Sequence, residues 1–368
     1  MTLHDLSSVS PVAHHRASFL DPFWDDGPRA QVERELLALF QRQLAVATRA
    51  RAFVGRVPAE LLRARGPLGR DEVEALPLLT KQELRAYLPD QLLVDPTDTF
   101  HMVRETGGTT GRPVGVFWGR SDWTAFIEAL QRFAGPLGRL GKGFRAWNGY
   151  NQAHVSGPCF DDLIRAFGGT PVPRHFGASD REALAEIERM RAEVLVITPQ
   201  SGSGKGGSLE DLLATEPGFL ARLRIRALVV SSTLLRPDLL EEVREQGVTT
   251  VINYYGSTEA PPAAASCEAS PTTFHLTQGH VLVEVVHPDG RQVRSGERGA
   301  VVVSRIGASD GVSVRPSSAT QLLRFVVGDT ALFIDEPCAC GRTSPRIADI
   351  ARVTDVEDKL RGGCERWE

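Results

Sequence analysis

The sequence predicts an α/β fold, with parallel sheets flanked by helices and a smaller β-rich subdomain toward the C-terminal side. Three observations predict it. Between about residues 114 and 255 helical and strand patterns alternate, which is the order of a parallel sheet. Several of the strands, Val194 to Pro199 most clearly, read as continuous apolar runs, as strands buried on both faces do. From about Thr273 the texture becomes β-rich, with Pro-Asp-Gly and Ser-Gly-Glu turns between apolar stretches.

Length and composition set the bounds. A chain of 368 residues buries a large core and has room for two or three subdomains. The 42 Lys+Arg against 46 Asp+Glu give a net charge of −4, so no basic face is implied and nucleic acid is not an expected partner. Five cysteines at uneven spacing argue against a secreted disulfide framework. Neither a leader pattern nor a run of membrane-spanning length is present, so a cytoplasmic protein without a membrane partner is expected.

Residues 1 to about 28 read as a polar arm. The adjacent His14 and His15 cannot share a helix face and are not read as metal ligands. Leu36, Leu37, Phe40, Leu44 and Ala47 give Gln31 to Arg51 the spacing of an amphipathic helix. Thr80 and Glu83 form a capping box at the entry to the next helix. A strand ending at Val103 then leads into Thr106-Gly107-Gly108-Thr109-Thr110-Gly111-Arg112-Pro113. Glycines there let the backbone approach a ligand, and successive N–H groups with threonine hydroxyls make an anion-binding nest. Read on its own, the stretch is either a cradle for nucleotide phosphates or a hairpin turn. It is not a Walker A loop, because no Lys-Ser or Lys-Thr follows the last glycine.

Helices are predicted over Ser121 to Phe133, Asp161 to Phe167, Asp180 to Arg191 and Pro237 to Gln246. Strands are predicted over Phe144 to Asn148, Thr170 to Pro173, Ile225 to Ser231 and Val248 to Asn253. The first of these strands runs into a polar, aromatic loop with Tyr150 and His154, a setting for ligand contacts. Ser201 to Ser208 also looks like a phosphate loop, but Pro199 holds the first-glycine place and Gly206 follows Lys205. It is read as a loop rather than a nucleotide site. Val248 to Asn253 delivers Tyr254-Tyr255-Gly256-Ser257-Thr258-Glu259. Later strands are expected over His280 to His287, Gly299 to Arg305 and Gln321 to Phe333, the last closing in Gly328-Asp329. Cys338-Ala339-Cys340-Gly341-Arg342-Thr343 follows. Cysteines this close raise the question of zinc, or they are small core residues of a tight turn.

These motifs, in this order, resemble those of the adenylate-forming superfamily of acyl-CoA synthetases, peptide-synthetase adenylation domains and luciferases. The Gly/Thr loop resembles its phosphate loop, with Gly107 where a serine is usual. The segment Pro77 to Leu84 and the Cys-x-Cys-Gly-Arg-Thr turn resemble the phenylacetate–CoA ligase-like branch. The resemblance covers about residues 75 to 360. It implies the large N-terminal domain of an adenylate-forming enzyme over 1–350, with an α/β core at about 75–270 and a β-rich subdomain at about 271–345. Residues 351–368 then read as a hinge remnant and the small C-terminal domain as absent. A chain of this extent resembles the adenylating proteins of phenazine antibiotic biosynthesis.

The implied activity is ATP- and Mg²⁺-dependent activation of a carboxylic acid, aromatic by analogy, as an acyl-adenylate. By this resemblance Thr106, Gly107, Gly108, Thr109, Thr110 and Gly111 cradle phosphates, Glu259 holds Mg²⁺, and Thr258 and Arg352 complete the catalytic set. Tyr255 stacks on adenine, Asp329 takes the ribose hydroxyls, and Arg346 is the alternative to Arg352 at the ribose–phosphate edge. Tyr254, Gly256, Ser257, Ser231 and Ser232 border the nucleotide. Tyr150, His154 and Tyr254 are assigned to the acyl pocket, where the histidine either orients the carboxylate or is a satisfied core residue. A structural zinc would use Cys338 and Cys340 with Cys267 and His275, both placed in a turn region after Glu259. Expected partners are an aryl carboxylic acid, a carrier protein or acyl-accepting enzyme acting in trans, and a second copy in a homodimer. Two other readings stay open: a nucleotide-binding paralogue without catalysis, and an acyl-CoA ligase completed by another chain.

Overall fold

The computed structural model describes residues 18–63, 66–106, 113–175, 177–201, 207–260 and 262–353. Gly107 to Gly111, Arg112, His14, His15, Gly202 to Gly206, Asp355 and Cys364 lie outside them.

Among the described residues the strands in chain order begin with β1 (Met102–Glu105), β2 (Gly115–Trp118), β3 (Arg145–Asn148), β4 (Thr170–Pro173), β5 (Val194–Ile197), β6 (Ala227–Val230), β7 (Thr250–Tyr255) and β8 (Ala264–Cys267). Then come β9 (Ser270–Leu276), β10 (Val281–Val286), β11 (Arg298–Arg305), β12 (Ala308–Ser309), β13 (Val314–Arg315), β14 (Phe325–Ile334) and β15 (Arg346–Arg352). Eleven of them form one sheet in the order β10-β11-β14-β15-β9-β8-β7-β6-β5-β3-β4. From β7 to β4 the pairing is parallel, and from β7 through β8 to β10 it is antiparallel. The β-rich part therefore continues the α/β sheet.

Side-chain alternation explains why the parallel strands read as unbroken apolar runs. Val194, Val196, Ala227 and Val229 face a core shared with Phe126, Leu130 and Leu163. Leu195, Ile197, Leu228 and Val230 face the opposite core, shared with Leu184, Leu212 and Leu239. Both faces are thus covered by helices, and neither can be polar. A third core packs Leu36, Phe40 and Leu44 of the helix Arg29–Ala47 against Val281, Val285, Val303 and Phe325 of the antiparallel part.

Several boundaries differ from the sequence reading. The helix predicted from Asp161 begins at Ser156, because Pro158 in the first turn has no N–H that the helix needs. Residues 264–276, expected as a turn region, are the paired strands β8 and β9. Their small residues Ala264, Ala265 and Ser266 are all buried and show no period-two alternation. Gly328-Asp329 lies inside β14, which runs on to Ile334 past an irregularity between Thr330 and Leu332. The Thr80 capping box is present: Thr80 Oγ1 accepts the Glu83 N–H at 3.2 Å, and Glu83 Oε2 accepts the Thr80 N–H at 2.8 Å.

Candidate active site

A cavity of about 240 Å³ opens where β3, β6 and β7 end at their carboxyl edges. The chain passes from β3 out to β4 and returns to β5 on the other side of β3. Open parallel sheets bind ligands beside such a reversal.

Each segment contributes at its strand or helix end. Thr106 follows β1; its N–H donates to Val114 O and its Oγ1 accepts the Val114 N–H, both at 3.0 Å. These two bonds extend the antiparallel pairing of β1 with β2 by one step. Ser231 and Ser232 follow β6, and Ser232 has φ +78°, a left-handed conformation uncommon outside glycine. Tyr150, behind Phe160 at 5.1 Å between ring centres, donates its hydroxyl to Ser231 O at 2.8 Å. Burial pushes the Tyr150 phenol up, so it stays a protonated donor.

The end of β7 places Tyr254 through Glu259 along the cavity. Glu259 is 2 % exposed, and its Oε1 has no hydrogen-bond partner among the described residues. Lys81 Nζ stands 3.5 Å from that oxygen, an ion pair without a hydrogen bond. Next to it, His154 Nε2 lies 3.1 Å from Thr258 Oγ1. His154 Nδ1 accepts the Ser156 N–H at 3.3 Å, which assigns the ring proton to Nε2 and makes Thr258 the acceptor there. Burial lowers the His154 pKa, with Glu259 opposing, so the ring is neutral at pH 7. The Thr258 hydroxyl proton is then left to donate to an oxygen in the cavity.

A second polar group is built from β7, β14 and β15. Tyr255 donates its hydroxyl to Asp329 Oδ2 at 3.0 Å, and Arg352 Nε pairs with Oδ1 at 3.4 Å. Burial and the adjacent Asp329 raise the Tyr255 phenol well above its ordinary pKa. Asp329 is opposite Arg352 in the β14–β15 register. Arg346 is not brought to the cavity. It starts β15, pairs with His275 across β9, and donates to Glu336 O at 3.1 Å.

The predicted metal residues converge elsewhere. The ligand atoms of Cys267, His275, Cys338 and Cys340 lie within 4.8 Å of one another. Sγ of Cys267 and Cys338 are 3.7 Å apart, and Cys340 Sγ is 3.3 Å from His275 Nε2. His275 Nδ1 lies 3.1 Å from Ser344 O, which fixes Nδ1 as the protonated nitrogen and turns the Nε2 lone pair to the thiols. Burial drives the His275 pKa down to about 4.

Residues 66–312 match the family of AMP-binding enzymes. The chain belongs to that family. Among curated proteins, this AMP-binding enzyme is 26 % identical over 302 residues to phenylacetate-coenzyme A ligase of Thermus thermophilus, covering 81 % of the present chain and 64 % of that one. With phenylacetate-coenzyme A ligase of Escherichia coli it shares 23 % identity over 245 residues, 64 % of this chain and 54 % of the relative. The chain thus spans less than two thirds of the length of either relative. Among solved structures, 2-hydroxyisobutyryl-CoA ligase with 2-HIB-AMP and CoA, in an open conformation, superposes with a TM-score of 0.74 at 19 % identity. That match covers 91 % of this chain and 78 % of the other. The same ligase in its thioesterification state gives 0.74 at 21 % identity, covering 91 % and 71 %. Both show that the chain shares its fold with that ligase.

Lys81 is the site residue the sequence reading passed over. It occupies the first position after the Thr80 cap, where a lysine is ordinarily solvated, yet its side chain is only 13 % exposed.

Proposed function

We propose that this AMP-binding enzyme activates a carboxylic acid with ATP, forming an acyl-adenylate and releasing pyrophosphate. A carboxylate oxygen attacks the α-phosphorus, and the bond to the bridging oxygen of pyrophosphate breaks. The observation that carries the reading is the meeting of Lys81, Thr106, His154, Ser231, Thr258, Glu259 and Arg352 around one cavity, from segments far apart in the chain. An aromatic acid is favoured by the apolar wall beside them, which includes Phe126, Phe160 and Tyr254. By the same reading the acyl group goes on to CoA or to a carrier acting in trans.

Thr106 and the loop beyond it would hold the β- and γ-phosphates, and Lys81 would add a positive charge to the same anionic ligand. The buried Oε1 of Glu259, without a hydrogen-bond partner among the described residues, is a hard oxygen of the kind Mg²⁺ takes. Glu259 would hold that ion, which when bound offsets phosphate charge. The Thr258 hydroxyl, oriented by neutral His154, donates to a phosphate or carboxylate oxygen. Tyr255 and Arg352 hold the Asp329 carboxylate from both sides for two ribose hydroxyls. Asp329→Ala is therefore expected to weaken ATP binding by about tenfold or more, the loss of a charged hydrogen-bond acceptor. Calorimetric titration checks it, and unchanged affinity would refute the ribose assignment. Acid-dependent pyrophosphate exchange tests the reaction itself.

Zinc is proposed for the second cluster. Three thiols and one imidazole at these separations suit a tetrahedral site with Zn–S near 2.3 Å, and four protein ligands leave no open position for catalysis. Purified protein is expected to carry about one zinc per chain by elemental analysis and to lose thermal stability with a chelator. Protein free of metal, with its stability unaffected by the chelator, would remove the assignment.

A further inference from the structure

The apolar wall of the cavity is formed by Phe126, Leu130, Val155, Cys159, Phe160 and Tyr254, which pack in one cluster. This wall carries polar groups, and their hydrogens are already committed. The Tyr254 hydroxyl donates to Leu130 O at 2.6 Å, and the Cys159 thiol to Ser156 O at 3.2 Å. Burial raises both groups, so neither gives up its proton to become an anion.

The N-terminus of the helix Ser156–Ala166 also borders the cavity, and such an end ordinarily presents free N–H groups to an anion. Here it does not. The Ser156 N–H goes to His154 Nδ1 at 3.3 Å and the Gly157 N–H to His154 O at 3.2 Å. Pro158 has none, and the Cys159 N–H goes to Val155 O at 3.2 Å. The Ser156 hydroxyl faces the same His154 Nδ1 at 3.1 Å. A buried acceptor on a ligand seated against these groups would find no free donor among them, and leaving a polar group unpaired in an apolar site is costly.

We propose that this wall selects against hydrogen-bond acceptors: the acid it takes has a hydrocarbon body, without ring nitrogen, carbonyl or second carboxylate on the part that enters the cluster. The proposal rests on the carboxylate-activating reading and narrows its substrate class. It sets apolar aryl monoacids above nitrogen heteroaryl acids and diacids of the same shape.

The test compares kcat/KM for pyrophosphate exchange, with the full chain, between acids matched in size. Benzoate and phenylacetate are set against each ring-nitrogen isomer of pyridinecarboxylate and pyridylacetate. 4-Isopropylbenzoate is set against 4-acetylbenzoate and terephthalate. The acceptor-bearing acids are expected to fall about ten- to a hundredfold below their hydrocarbon partners, and the diacid further. Because the wild-type protein supplies the result, no variant has to fold. Equal use of the nitrogen or acetyl acids would overturn the proposal and leave adenylation standing. Exchange with no acid at all would instead overturn the activation reading and the proposal with it.

Discussion

Glu259→Gln is expected to lower acid-dependent pyrophosphate exchange by about a hundred- to a thousandfold while ATP still binds. The substitution keeps the side-chain volume and one oxygen but removes the charge. At this position the charge is buried, its Oε1 has no hydrogen-bond partner among the described residues, and Lys81 Nζ stands 3.5 Å from it. In the role proposed for it, a buried carboxylate here would act on charge that develops as the acid attacks, and losing one such electrostatic element has that order of effect on rate. Asp329 and Tyr255 are untouched, so nucleotide affinity is expected to hold. Two assays on the same preparation separate the outcomes: exchange rate and ATP titration. Undiminished exchange would refute the role given to Glu259, and a fall in ATP affinity as large as the fall in rate would make it a binding residue.

Arg324→Met is expected to destabilise the fold by about 3–5 kcal/mol, the usual result of removing one partner of a buried ion pair. Arg324 and Glu284 both have fully buried side chains and meet through two bonds, Nε to Oε2 at 3.2 Å and Nη2 to Oε1 at 3.1 Å. The guanidinium also donates to Glu74 O at 2.6 Å, to Leu76 O at 2.8 Å and to Gly290 O. It therefore ties the segment before the Lys81 helix to β10 and β14. The main chain continues the tie: the Leu79 N–H donates to Arg324 O at 2.8 Å and the Val326 N–H to Leu79 O at 2.9 Å. Urea denaturation measures the loss. The double variant Arg324→Met/Glu284→Met is expected to be less destabilised than Arg324→Met, because no uncompensated carboxylate stays buried. A single variant within 1 kcal/mol of wild type would contradict this account of how Lys81 is held in place.

The two variants mark what the sequence made legible and what it did not. Local signals carried far. The Thr80–Glu83 box, the apolar runs of β5 and β6, and Tyr254 to Glu259 at the end of β7 are each written in a few consecutive residues. The Glu259–Lys81 pair does not: it joins residues 178 positions apart, and nothing near Lys81 indicates burial. Arg346 and Arg352 looked interchangeable because they are close in sequence. On a single strand, six residues span about 20 Å, so one reaches Asp329 while the other stands beside His275. The apolar wall was hidden in the same way. Phe126 and Leu130, four apart on the helix Arg120–Phe133, read as an ordinary core face. Only the fold shows that this face also borders a cavity.

The most direct test of the central claim is exchange of labelled pyrophosphate into ATP by the full chain, measured across a panel of aryl carboxylic acids with Mg²⁺ present. The account predicts exchange that appears only with acid, strongest with an apolar aryl acid, and that collapses in Glu259→Gln. A protein that binds ATP but shows no acid-dependent exchange with any member of the panel would contradict it and leave a nucleotide-binding protein without this chemistry.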